Sequence, residues 1–283
     1  MMWADSTPVR RFAATGSLLM LWALPVILVL AYVLPFAGVT LWSVTRPEYG
    51  FENYVRIFTG ADFQAIFLRT AWVCLVSTAI TIPIAYLLAY YWVMGSARRS
   101  RLVEICIFIP FWISVLVRAF GWVVILRNNS LASDVANAFG FGGLSTGRNV
   151  WSVITGMVHF MVPFAILPMA SVMRKIDRRV LLAALGLGCR PLGVFWRIYL
   201  PMSMPGVFSA LAMTFIFSLG FFVTPMILGG GRVVLTAETV FVQMFQTANW
   251  GLGAALGVVL LVVVFAILWL SQRVMRIEQL MSR

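Results

Sequence analysis

Six stretches of this chain are each long and apolar enough to cross a lipid bilayer, and they restrict the fold more than any motif does. They cover residues 16–43, 70–94, 102–126, 150–173, 207–228 and 252–270. A helix needs about 20 residues to pass the hydrocarbon core. A lone span in lipid must satisfy its own backbone hydrogen bonds, so each stretch is read as an α-helix. Of the 283 residues, 62% are hydrophobic and 11% charged, whereas soluble domains run to about half and about a quarter. The expectation is an all-α integral membrane protein with six transmembrane helices in a single domain over 1–283.

The net charge of +12 would suggest nucleic acid in a soluble protein, but its distribution excludes that partner here. Arg10 and Arg11 precede the first span, and Arg98, Arg99 and Arg101 lie between the second and third. Arg174, Lys175, Arg178, Arg179, Arg190 and Arg197 fill the loop after the fourth, and Arg273, Arg276 and Arg283 follow the sixth. The other three loops hold six basic residues, diluted by Glu48, Glu52, Asp62, Asp134 and Glu238. Excess Lys and Arg mark cytoplasmic loops, so both termini and the loop after the fourth span are expected in the cytoplasm. The run 16–43 is too long for a signal-peptide core and lacks a small-x-small cleavage site, so it reads as a retained helix.

Several chemistries lack their residues. Cys74, Cys106 and Cys189 form no CxxC pair, and His159 is the only histidine, so no metal centre or triad is supported. None of the nine acids falls in the middle of a predicted span, which argues against a proton-coupled carrier. No GxxxxGK[ST] phosphate loop occurs, and Gly229-Gly230-Gly231 reads as a turn. Any ATP-driven step would need its ATPase on another chain.

The loop after the fourth span is the most informative segment. Residues 180–187 form a short helical run in which Ala183 and Ala184 allow close approach of another backbone. Gly186 and Gly188 can end it with positive φ or leave a bare surface. Pro191 blocks helical continuation before it. Residues 192–200 read as a second amphipathic helix, closed by Pro201 and by Pro205-Gly206. Such an elbow could dock a protein partner or rest on lipid headgroups through its arginines.

This loop resembles the EAA motif of binding-protein-dependent ABC importer permeases: E-A-A, three residues, G, nine residues, I-x-L-P. Ala183, Ala184 and Gly188 fall at the required spacing, followed by Ile198, Leu200 and Pro201, with Leu182 where the family has Glu. Pro110-Phe111-Trp112, Arg118, Trp122 and the N-N-S turn at 128–130 are similar to spermidine/putrescine-type permeases, as are P-M-I-L-G-G-G and N-W-G-L-G-A-A. The resemblance implies a type I ABC importer permease fold with a core at 70–274 and a coupling elbow at 174–206. It implies a bacterial inner-membrane protein that shares its pathway with a second permease. Two ATPase subunits, carrying ATP and Mg, would bind the elbows, and a periplasmic binding protein would deliver substrate. The chain itself would bind no cofactor and would not be an enzyme. A polyamine-like solute is implied, with relatives moving iron(III), opines or other small solutes. A stand-alone secondary carrier and an anchoring subunit are the readings from other classes.

Arg118 is the one charge away from the ends of a predicted span. On a straight helix from Arg101 it would stand about 25 Å up, near the outer boundary. There it either snorkels to the interface or, with Trp122, serves the pathway or a gate.

Overall fold

A computed structural model describes residues 8–127, 130 and 148–281, and among these every regular element is helical. In chain order they are α1 (Pro8–Thr45), α2 (Glu52–Thr59), α3 (Ala61–Met94), α4 (Ala97–Trp112), α5 (Val115–Ile125) and α6 (Val150–Met173). Then follow α7 (Arg178–Gly186), α8 (Pro191–Leu219), α9 (Val223–Gly229), α10 (Thr236–Phe241) and α11 (Trp250–Met281). Among the described residues, five helices are long and apolar enough to span a bilayer, and six spans result if α4 and α5 count as one bent pair.

The centre of the bundle is α6, packed between α3 and α8. Its buried face is legible in the sequence: Met157, Met161, Ala165, Met169 and Met173 recur every fourth residue and are all 0% exposed. Positions four apart stack on one side of a helix, and methionine fills irregular gaps. Small residues bring the backbones together, as expected where lipid gives no hydrophobic push between helices. A Cβ on Gly206 of α8 would stand 3.0 Å from Val172 Cβ and 3.1 Å from Met169 Cα. Ala85 and Ala89 of α3 and Ala210 of α8 are likewise fully buried.

Paired polar groups fix the two ends of the bundle. Thr70 and Thr236 share a 2.9 Å hydrogen bond that ties the start of α10 to α3. Toward the opposite end Tyr86 and Ser203 pair at 2.9 Å. The first helix is peripheral and rests on α11, with Trp42 against Trp250 at 5.8 Å. Asn53 donates to the carbonyls of Arg46 (2.8 Å) and Ser43 (3.1 Å), and Gly251 leaves room for the Arg46 carbonyl.

Two predicted spans need correction. Residues 102–126 do not form one straight helix: Ile113 and Ser114 are extended, and α4 and α5 meet at 103°. Pro110 cannot donate to the carbonyl four residues earlier, and the Ile113 amide closes on Pro110 O at 3.2 Å. Residues 207–228 are not one helix either. The span begins at Pro191 and ends at Leu219, and a short α9 follows Gly220. Pro201 and Pro205 therefore do not close a separate elbow helix at 192–200. A π turn at Phe195–Tyr199 widens the coil just before Pro201, with the Leu200 amide donating to Phe195 O. That widening accommodates a proline ring that would otherwise press on the carbonyl four residues back.

Candidate functional site

The elbow is built from local chemistry. Asp177 caps α7, its carboxylate accepting the Arg179 amide at 2.8 Å. At the other end the Gly188 amide donates to Leu185 O (3.0 Å) and the Cys189 amide to Ala184 O (3.1 Å). Those two bonds make a Schellman cap, which requires left-handed backbone at its penultimate residue. Gly188 has φ +85°, and a Cβ there would touch nothing within 4 Å. Glycine is thus demanded by the backbone, not by crowding within this chain.

The two alanines of the motif face opposite ways. Ala184 is buried inside the elbow, and Ala183 is exposed. Ile198 and Leu200 are half-buried at the π turn, and Pro201 is exposed. Leu182, Leu185, Leu187, Leu192 and Trp196 remain exposed, Leu187 at 87% and Leu192 at 74%. Anchors hold the elbow to the end of α3: Arg178 donates to Val93 O at 3.1 Å, and the Arg174 guanidinium lies 4.5 Å over Trp92. Behind them Tyr90 packs edge-on to Phe195 (5.6 Å) and Tyr199 (5.1 Å). Displacement of the elbow would therefore load both α3 and α8.

Arg118 and Trp122 sit one turn apart on α5 and meet α6. The Trp122 indole donates to His159 Nδ1 at 3.1 Å, and the Arg118 guanidinium stands 4.7 Å over Phe160. Arg118 Nε is buried without a hydrogen-bond partner. Val115, Ala119, Gly156 and Thr224 close a small pocket around them. The bend after Trp112 overturns the straight-helix height for Arg118, because α5 leaves the axis of α4. Of the turn at 128–130, Asn128 and Asn129 lie outside the described residues.

Glu238 escaped sequence reasoning, which put it in an outer loop. It is 4% exposed on α10, and its Oε2 has no hydrogen-bond partner. The only sequence sign is the apolar flank on both sides, Leu235 and Val240. Burial pushes its carboxyl above the ordinary value, partly opposed by a backbone hydrogen bond at Leu235. A carboxyl raised in the fold supports the fold at low pH, and that support is lost as pH rises above the ordinary carboxylate value. Glu238→Gln should therefore raise the thermal midpoint at neutral pH, by the equivalent of about 1–3 kcal/mol, and flatten the fall as pH rises above the carboxylate range. Midpoints of the purified protein in detergent across that range check it; a wild-type pH profile in the variant is the contrary result.

Residues 81–276 match the family described as binding-protein-dependent transport system inner membrane component. The chain is 25% identical over 239 residues to the spermidine/putrescine transport system permease protein PotB of Escherichia coli K12, covering 83% of this chain and 86% of that one. It is 27% identical over 230 residues to PotB of Haemophilus influenzae, covering 78% of each. The inner membrane ABC transporter permease protein YdcU of Escherichia coli K12 is 28% identical over 240 residues, 78% of this chain and 74% of that one. Among solved structures, a bacterial ABC transporter involved in import of the acidic polysaccharide alginate superposes with TM-score 0.72 at 17% identity, covering 95% of this chain and 99% of that chain. The MetNI methionine ABC transporter in inward-facing form gives TM-score 0.56 at 16% identity, over 77% and 98%. With its helical bundle, its elbow and a family match over most of its length, the chain belongs to the inner membrane components of binding-protein-dependent transport systems, as a non-enzymatic permease subunit of an ABC importer.

Proposed function

We propose that the chain lines, with a second permease, the path of a bacterial importer for polyamine-like solutes, and that two ATPase subunits drive it through the elbow at 174–206. The observation that carries the reading is the elbow itself. Exposed apolar side chains Leu182, Leu185 and Leu187 at the capped helix α7, and Leu192 and Trp196 at the start of α8, are held on an elbow anchored to α3 through Arg178 and Arg174. A pair of helices resting on headgroups would not need such anchoring to a transmembrane helix. Ala183, Ala184, Gly188, Ile198, Leu200 and Pro201 form the coupling segment. ATP and Mg belong to the partner subunits, and a periplasmic binding protein brings the solute. The polyamine class is supported by the PotB relatives.

Both termini and the elbow are cytoplasmic in this reading, in line with the arginine distribution. The test is uptake of labelled spermidine into vesicles holding the complete complex. Uptake should require ATP and binding protein, and a cysteine at position 190 should label only from the cytoplasmic side. Uptake without ATP would favour a secondary carrier, and labelling from the other side would remove the elbow from its ATPase.

A further inference from the structure

Arg118 carries a charge that the rest of the chain does not answer. Its guanidinium lies 4.7 Å over the ring of Phe160, the eleventh of the 24 residues of α6. At about 1.5 Å per residue that position is about 15 Å in from the Val150 end, close to half-way along the helix. The side chain is folded inward, whereas snorkelling would carry the charge to a helix end. Its Nε is buried without a hydrogen-bond partner. Among the described residues of the five long spans and the bent pair, the acids are Asp62, in the first turn of α3, and Glu104, fourteen residues back and beyond the bend. Glu238 is not among the residues that close the pocket around Arg118. A charge at such depth calls for a partner.

We infer that the exposed face of α5 is the seat of the second permease, and that a carboxylate of that subunit pairs with Arg118. The inference rests on the proposed two-permease pathway and names a contact within it. Val117, Phe120 and Val124 follow one another at steps of three and four and are 58–67% exposed, which puts them on one side of the helix. Ile113 and Ser114, extended and exposed, lead into that side, and Arg118 stands on its flank, one turn after Ser114. Lipid would cover the three apolar side chains but not the irregular backbone beside them, which hydrocarbon excludes. Water would serve that backbone and the guanidinium but not a contiguous apolar face, which marks a protein contact. A protein surface bearing a carboxylate meets all three needs, since the planar guanidinium pairs with a carboxylate through two parallel hydrogen bonds. A carboxylate on a passing solute would leave the charge bare between turnovers. In the proposed importer, the subunit that shares the bilayer with this chain is the second permease.

Two measurements on the complete complex test this. A photoreactive p-benzoylphenylalanine in place of Phe120 or Val124, irradiated in membranes, should form an adduct with the second permease. Arg118→Glu should lower the amount of second permease that copurifies with this chain by at least about tenfold, because a buried pair broken on one side is strongly destabilising. Changing the acids of the second permease to lysine one at a time should then find one that restores copurification, a rescue that also shows the Arg118→Glu chain to be folded. Adducts with lipid alone, wild-type copurification in Arg118→Glu, or failure of every such reversal overturns the inference. Where that happens in a complex that still holds a second permease and imports with ATP, the importer reading stands without this seat. A wild-type chain that copurifies with no second permease removes both.

Discussion

Gly188→Asp should leave the permease folded in the membrane yet cut ATP-driven uptake by at least about tenfold, because an unpaired charge in a formed interface costs several kcal/mol. Two separate costs fall on this position. The backbone at φ +85° is left-handed, which costs a side-chain-bearing residue about 1 kcal/mol or more. The carboxylate would also add a charge to the exposed elbow next to Leu187, where the ATPase is proposed to dock. Gly188→Asn separates the two, since asparagine tolerates left-handed backbone and carries no charge. Asparagine should keep most of the uptake, and aspartate should not. Leu182→Glu restores the residue common in the motif at an exposed position and should be neutral or better. ATPase activity of the purified assembly in lipid, with and without loaded binding protein, reads coupling directly. Normal stimulation and uptake in Gly188→Asp would mean that another segment carries the ATPase.

Gly206→Val should damage folding severely. Its new Cβ would press on Val172 Cβ at 3.0 Å, on Met169 Cα at 3.1 Å and on Pro168 O at 3.3 Å. Two of those three atoms are backbone and cannot swing aside, so α6 and α8 must separate. Overpacking by single methylenes costs about 1–3 kcal/mol, and valine adds its branches to the clash. The expected result is a large loss of assembled complex in the membrane and a thermal midpoint lowered by several degrees in what remains. Gly206→Ala should be intermediate. Gly257→Ala is the control, since a Cβ there meets nothing within 4 Å; it should be neutral or slightly stabilising through helix propensity. A valine variant as stable as wild type would show that the seam is looser than its geometry.

Much of the fold was legible because lipid imposes it. The fourth span falls on Val150–Met173 at both ends, since Asn149 caps it and accepts the Ser152 amide at 2.8 Å. The elbow was legible for a related reason: glycine at 188 marks a helix end whichever partner is present. Proline misled in both directions: Pro201 and Pro205 lie inside a helix they were expected to close, yet near Pro110 the chain turns sharply within a run expected to be one helix. Hydropathy reads the same on either side of that turn, so nothing in the run 102–126 announces it. Glu238 was missed because a charge between two apolar flanks looks like a loop until tertiary packing closes over it.

The bend between α4 and α5 has a bearing on how the subunit lives in a cell. Ile113 and Ser114 are extended and exposed on the surface of the isolated chain, beside Trp112 at 84%. Hydrocarbon does not tolerate irregular backbone at its surface; such backbone persists only against protein or water. In the proposed importer, the side bearing this bend therefore fits against protein or water rather than lipid. A copy that failed to find its partner would hold the same peptide groups against acyl chains, at several kcal/mol for each unsatisfied group. Orphan subunits should consequently be short-lived, so that supply of the partner, rather than synthesis of this chain, sets how much of it accumulates.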